Sequence, residues 1–179
     1  MRSSPIVVGL VGVLSLVLPA CGQLEYNSST YKRVNKTQTE LPWMAIGAHR
    51  TREGSRLFSE QVTIGAPYSL GFGRQYEDAT TEPFAVRAVR VAHAGVEVFV
   101  LSEGDGPLVA TPREKTNPER PAMVTRVPLP ELTFVADSEV VVEAEVRMPG
   151  GDAWVAMHEA FSAESESKTY SGCDRIAMY

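Results

Sequence analysis

Three histidines, His49, His93 and His158, stand far apart in the chain, each within or at the end of a strand-like segment. Metal binding or triad chemistry needs several such groups to converge with carboxylates. No spacing such as H-E-x-x-H sets two of them together, so structural or surface roles are expected. His158 and Glu159 are neighbours whose side chains leave a strand on opposite faces. Ser165-Glu166-Ser167-Lys168 has the S-x-x-K spacing at which a lysine one helical turn away assists a serine nucleophile. Its surroundings, SAESESKTYSG, read as a polar loop, and neither K-T-G nor S-D-N follows. Glu77-Asp78 and Glu103-x-Asp105 lack the alternating acids of a calcium loop and read as turns. No catalytic residue, metal-ligand set or cofactor is assigned.

One basic cluster stands out on an acidic chain, His49-Arg50-Thr51-Arg52-Glu53-Gly54-Ser55-Arg56. Arginine presents a planar fork of donors that suits carboxylates and phosphates. Arg50, Arg52 and Arg56 are therefore the candidates for gripping an anion or an acidic partner, against the plainer expectation of a solvated loop between two strands. Trp43, Tyr68, Phe72 and Tyr76 lie within or near the Gly-rich stretch GAPYSLGFG. Aromatics so placed can form a sugar-binding platform, but core packing is their commoner fate.

Cys21 and Cys173 are the only cysteines. Arg2 is the only charge ahead of Cys21, and Ile6 to Leu18 is an unbroken run of apolar, Gly and Ser residues. As a helix those thirteen residues would span about 20 Å, short of the twenty or so needed to cross a bilayer. A positive start, a brief apolar run and small residues at its end mark a secretory signal peptide. Leu18-Pro19-Ala20-Cys21 resembles the lipobox of bacterial lipoproteins, with Pro19 where a small residue is usual. The resemblance covers residues 1–22 and implies cleavage before Cys21, acylation of its sulfur, palmitate among the chains, and a membrane anchor. Gly22, where an Asp would resemble the inner-membrane retention signal, points to an outer membrane. An ordinary secretory cut after Gly22 is the alternative. If Cys21 carries lipid, Cys173 is a single thiol, buried or paired between chains.

Removing residues 1–20 takes Arg2 and no acid, leaving 16 basic against 22 acidic side chains, a net charge of −6. That balance disfavours general nucleic-acid binding, which works by neutralising phosphates. It also disfavours lying on an anionic lipid surface except through a covalent anchor.

Residues 22–40, GQLEYNSSTYKRVNKTQTE, are polar without apolar periodicity and read as a flexible tether. From Leu41 onward strand-like segments recur between Gly, Pro, Asp and Asn: 42–49, 57–64, 68–73, 83–93, 96–102, 122–127, 131–135, 138–148 and 153–161. The clearest alternation runs from Ser138 to Met148, with Val140, Val142, Ala144, Val146 and Met148 on one face. Pro149-Gly150-Gly151-Asp152 then turns the chain back into 153–161. A second hairpin turns at Ala94-Gly95, and Val96–Leu101, apolar except at Glu97, reads as a central strand covered on both faces. Pro128 and Pro130 suit an edge or a bend.

The expected architecture is a signal peptide over 1–20, a lipidated Cys21 and tether over 21–40, and an all-β domain over 41–179. That domain reads as an antiparallel β-sandwich, immunoglobulin-like or jelly-roll-like, with a small β-barrel as runner-up. The expected function is a non-enzymatic binding or assembly lipoprotein of the cell envelope, meeting a partner protein or a cell-wall component. An envelope-polymer hydrolase or a small-ligand carrier is the alternative.

Overall fold

A computed structural model describes residues 22–34, 40–55, 59–76, 82–113 and 122–171. The described chain is all-β, ten strands hydrogen-bonded into one mixed sheet that curls into a half-barrel. The strands are β1 (Gln23–Arg33), β2 (Trp43–Ser55), β3 (Ser59–Gln75), β4 (Ala85–His93), β5 (Val96–Leu101), β6 (Leu108–Val109), β7 (Thr111–Pro112), β8 (Ala122–Leu129), β9 (Glu139–Arg147) and β10 (Trp154–Ser171). Their order is β5-β4-β9-β10-β1-β3-β8-β7, with β2 also on β3 and β6 on β4.

The body of the half-barrel follows the alternation in its sequence. Val140, Val142, Ala144 and Val146 of β9 are buried, while Glu139, Glu143 and Arg147 are exposed. Both expected hairpins form, β4 with β5 and β9 with β10. The first turns through Ala94 and Gly95, both at positive φ, a conformation in which glycine lacks the steric cost of a Cβ. Phe84, Val86, Val89 and Val91, the β9 valines, Tyr68, Leu70, Phe72, Leu129, Leu132 and Phe161 join in one apolar cluster. At one end β6 pairs with β4 and β7 with β8, so residues 108–112 bridge the two margins of the sheet. Arg74 Nη1 reaching Met148 Sδ at 3.5 Å ties β3 to the end of β9 there.

Four strands run on past the other end of the body and form a projecting blade. In it β10, β1, β3 and β2 lie side by side, over positions 163–171, 23–28, 59–64 and 50–55 respectively. Six residues of strand reach about 20 Å. Within the blade β1 and β3 are parallel, the one parallel pair among the described strands. The long β3 is shared between both parts. Its first half pairs with β1 and its second half with β8, around Gly65-Ala66-Pro67 and a cis Ala66–Pro67 peptide. Pro67 has no N–H to give, and the β2 register shifts at Ala48/His49 to pass it.

Several expectations change. Residues Gln23–Arg33 of the expected tether are a strand, paired with β10 along its whole length and with β3 over positions 23–28, since backbone pairing satisfies a polar strand without an apolar stripe. The basic cluster as far as Ser55 is part of β2 rather than a loop, and Ser165 and Lys168 lie on β10. Residues 59–64 of the segment 57–64 merge with 68–73 into β3, residues 57–58 lying outside the described ones, and 131–135 is not a strand. Leu132 turns back onto Leu129 and caps the core from above. β5 lies at the margin of the sheet, pairing only with β4 among the described strands, rather than at its centre.

Candidate functional site

Register fixes which blade side chains share a face. Directly opposed residues on neighbouring strands point the same way. One row across β2, β3, β1 and β10 reads Arg52, Val62, Tyr26, Lys168, and the next reads Arg50, Ile64, Ser28, Glu166. Val62 is buried, whereas the arginines and Lys168 flank it in solvent. Arg52 Nε lies 2.7 Å from the Glu60 carboxylate on the same face. The Lys168 ammonium pairs with Glu166, which together with Tyr170 and Tyr26 holds it above the ordinary lysine range. Arg50 makes no ion pair among the described residues, and Arg56 lies outside them. Two of the three arginines singled out in the sequence therefore share one basic and aromatic face.

The other face of the blade carries no apolar side chain in its central rows, which read Glu53, Gln61, Glu25, Thr169 and Thr51, Thr63, Asn27, Ser167. Ser167 Oγ donates to Asn27 Oδ1 at 2.7 Å across the strands. A shallow depression of about 200 Å³ is lined by Gln23, Glu25, Glu53, Ser59 and Gln61. The blade thus presents two unlike faces, one with arginines, Lys168 and Tyr26 beside Glu60 and Glu166, the other with acids, hydroxyls and amides and no cation in its central rows.

Two further clusters escaped the sequence reading because they join residues distant in the chain. The first is buried at the junction of body and blade, where His93 Nε2 lies 2.8 Å from Ser138 Oγ and 3.4 Å from the Tyr31 hydroxyl. Ser138 donates to the Val135 carbonyl at 2.6 Å and Tyr31 to the Thr133 carbonyl at 2.9 Å. With both hydroxyl protons on carbonyls, Nε2 is the donor to Ser138. A serine nucleophile needs the reverse arrangement, with the imidazole accepting the proton. This network fastens residues 132–138 over the core.

The second lies on the outer face of β4, β9 and β10. A backbone irregularity at Ala88 (φ 48°) puts Arg87 opposite Glu145 and Arg90 opposite Glu143. Arg87 Nε donates to Glu145 at 2.7 Å, and its guanidinium lies 4.3 Å from the Trp154 ring, with that of Arg147 at 5.1 Å. Beside them an open groove of about 460 Å³ is bordered by Arg90, Glu103, Glu143, Glu145 and His158. His158 is exposed and Glu159 buried, so the pair does split between faces. No group of three or more His, Cys, Asp or Glu among the described residues is placed to hold a metal ion.

The remaining candidates fall outside both clusters. His49 sits exposed at the β2 register shift, and Glu103–Asp105 forms a turn in which Asp105 accepts from the Ser102 N–H at 2.7 Å. Glu77 and Asp78 lie outside the described residues. Of the aromatics, Tyr68 and Phe72 are core, while Trp43 is 38% exposed and lies over Gly73. No helix among the described residues is long and apolar enough to cross a membrane. Set against known proteins, the chain matches no family model, no characterised protein and no solved structure.

Proposed function

We propose that this chain works outside the cytoplasm as a non-enzymatic binding or assembly module of the cell envelope, engaging an acidic partner through the basic face of its blade. The observation that carries the reading is Arg50, exposed beside the row Arg52, Val62, Tyr26, Lys168, in which Val62 is buried and the two flanking cations pair with Glu60 and Glu166. Arginine and tyrosine are the side chains that most often anchor protein contacts. Arg50, with no intramolecular carboxylate among the described residues, has its fork of donors available to a partner. The leader over residues 1–20 supports export. Retention by lipid on Cys21 is the lipobox expectation. The two-layer sandwich expected from the sequence belongs to the same proposal. One cluster joins Met44, Ile46, Leu70, Phe72 and Val127 to Val86, Val91, Val142 and Val146, as facing layers would.

Capture from envelope extracts tests the reading. Arg50→Glu is expected to weaken retention of a partner roughly tenfold, because a new like charge faces an acidic surface. Glu25→Gln with Glu53→Gln, on the opposite face, is expected to leave it unchanged. Equal capture by Arg50→Glu and the unaltered chain would remove the basic face from the account.

A further inference from the structure

One margin of the blade is the outer edge of β10. Past Ser162 this strand pairs with β1 alone among the described residues, because its pairing with β9 stops there. The phase of its backbone is set at its base. The Val34 N–H donates to the Ala160 carbonyl at 2.9 Å, whereas the Ala163 N–H donates away from β1, to the Ser138 carbonyl at 2.9 Å. Even positions of β10 therefore turn their backbone groups toward β1, and odd positions turn theirs outward. Ser165, Ser167 and Thr169 hold out a row of N–H and C=O groups that no backbone bond from a described residue reaches.

Such a margin is a template for another strand, and the side chains along it select which strand. Glu164, Glu166, Lys168 and Tyr170 stand on one face, Ser165, Ser167 and Thr169 on the other. Residues 164–169 are exposed. We propose that two copies of this chain join edge to edge through β10, antiparallel about a two-fold axis at Ser167.

The register follows from the charges. With the axis at Ser167, Glu166 of each copy lies opposite Lys168 of the other, Glu164 lies opposite Tyr170, and hydroxyls meet hydroxyls on the other face. Moving the axis to residue 165 sets Glu164 against Glu166; moving it to 166 or 168 stacks Glu166 on Glu166 or Lys168 on Lys168. The outward groups of Ser165, Ser167 and Thr169 in the two copies exchange about six backbone hydrogen bonds. Glu164 already pairs with Lys32 and Glu166 with Lys168 inside one copy, but these side chains are about half exposed. Ion pairs so placed hold their partners weakly, so the same groups can reach across the axis. The opposite margin of the blade lacks this self-complementarity, since β2 laid on itself about Thr51 opposes Arg50 and Arg52. An isologous contact closes at two copies. The product is one blade of eight strands with Arg50 near both far margins, and it does not depend on the binding role given above.

Sedimentation equilibrium of the full chain, expressed with its leader and purified into density-matched detergent, tests the contact. A concentration-dependent dimer is expected. Glu166→Lys and Lys168→Glu are each expected to weaken it at least roughly tenfold, because two attractive pairs become two repulsive ones. An equimolar mixture of the two variants is expected to recover the dimer, since every opposed pair is again of opposite sign. The double variant Glu166→Lys with Lys168→Glu is expected to recover it in a single chain. Recovery also shows that the single variants fold. A chain that stays monomeric at roughly 100 μM would overturn the proposal. So would single variants that dimerise as well as the unaltered chain, or a loss that neither the mixture nor the double variant repairs.

Discussion

The body and the blade are made by the same strands and held by different means. In the body, β9 places Val140, Val142, Ala144 and Val146 inside and charged residues outside, and the half-barrel encloses Leu70, Phe72 and Phe161 almost completely. In the blade, β1 and the start of β3 present a thin strip around Val62 on one face and only hydroxyls, amides and acids on the other. Apolar burial holds the body. The blade depends on backbone pairing along β10, β1, β3 and β2, and on continuity with the body. A strand sequence can therefore be polar on both faces when each edge has a partner, and it then serves as surface rather than as core.

The sharpest way to separate the two regions is truncation. Phe72→Ala, at a fully buried site of the body, is expected to cost about 3–5 kcal/mol in denaturant unfolding. Val62→Ala in the blade is expected to cost only about 2 kcal/mol, because it empties a strip and not a packed interior. Equal losses would contradict the division.

The junction gives the next effect. Arg33 donates from Nε to Glu159 at 2.6 Å and closes a second bond from Nη2 to the same carboxylate, with both side chains largely buried. Arg33→Met leaves a buried carboxylate without its partner and is expected to cost about 3 kcal/mol, most of which Glu159→Leu should restore. A double variant no better than the single one would mean that the pair does more than neutralise its own burial.

Gly73 supplies a smaller one. It lies opposite Trp43, whose indole occupies the space a Cβ would take. Gly73→Ala is expected to cost roughly 1–3 kcal/mol, and much less when combined with Trp43→Ala. Additive losses in the pair would place the strain elsewhere.

The smallest effect concerns pH. Burial, and then the neighbouring Tyr31, pushes the Tyr68 hydroxyl above its ordinary range, while that hydroxyl donates to the Ser29 carbonyl at 2.9 Å. A raised folded value means the neutral form is favoured by folding. The contribution is complete below the ordinary tyrosine range near 10 and is lost as pH climbs through the higher folded value. Tyr68→Phe is expected to lose about 1 kcal/mol at neutral pH and to flatten the alkaline fall in stability. An unchanged alkaline profile would assign that fall to other groups.

How much of this was legible follows the same division. Alternation in Ser138–Met148 and the turns at Ala94-Gly95 and Pro149-Gly150 located the body hairpins, because those residues face water on one side and the core on the other. β1 was invisible because LEYNSSTYKR has no apolar period; its partners, residues 59–64 and 161–171, are distant in sequence. β5 misled in the opposite sense. Val96 and Val100 read as covered, and they are exposed at a sheet margin. For the site, Arg50 and Arg52 were visible as a cluster, but only register could show that they share a face with Tyr26 and Lys168. The contacts joining Tyr31, His93 and Ser138, with the Tyr31 bond to the Thr133 carbonyl, span 45 to 102 positions and leave no local signature.

Amide hydrogen exchange over residues 23–33 tests the central claim, that this segment is an integral strand joining blade to body. The Lys32 amide, on the β10 side of the strand like that of Val34, which donates to the Ala160 carbonyl, is expected to exchange nearly as slowly as those of β9, and amides of Leu24 to Ser28 more slowly than an unstructured chain by orders of magnitude. Exchange of the whole segment at unstructured rates would return it to a tether and detach the blade from the account.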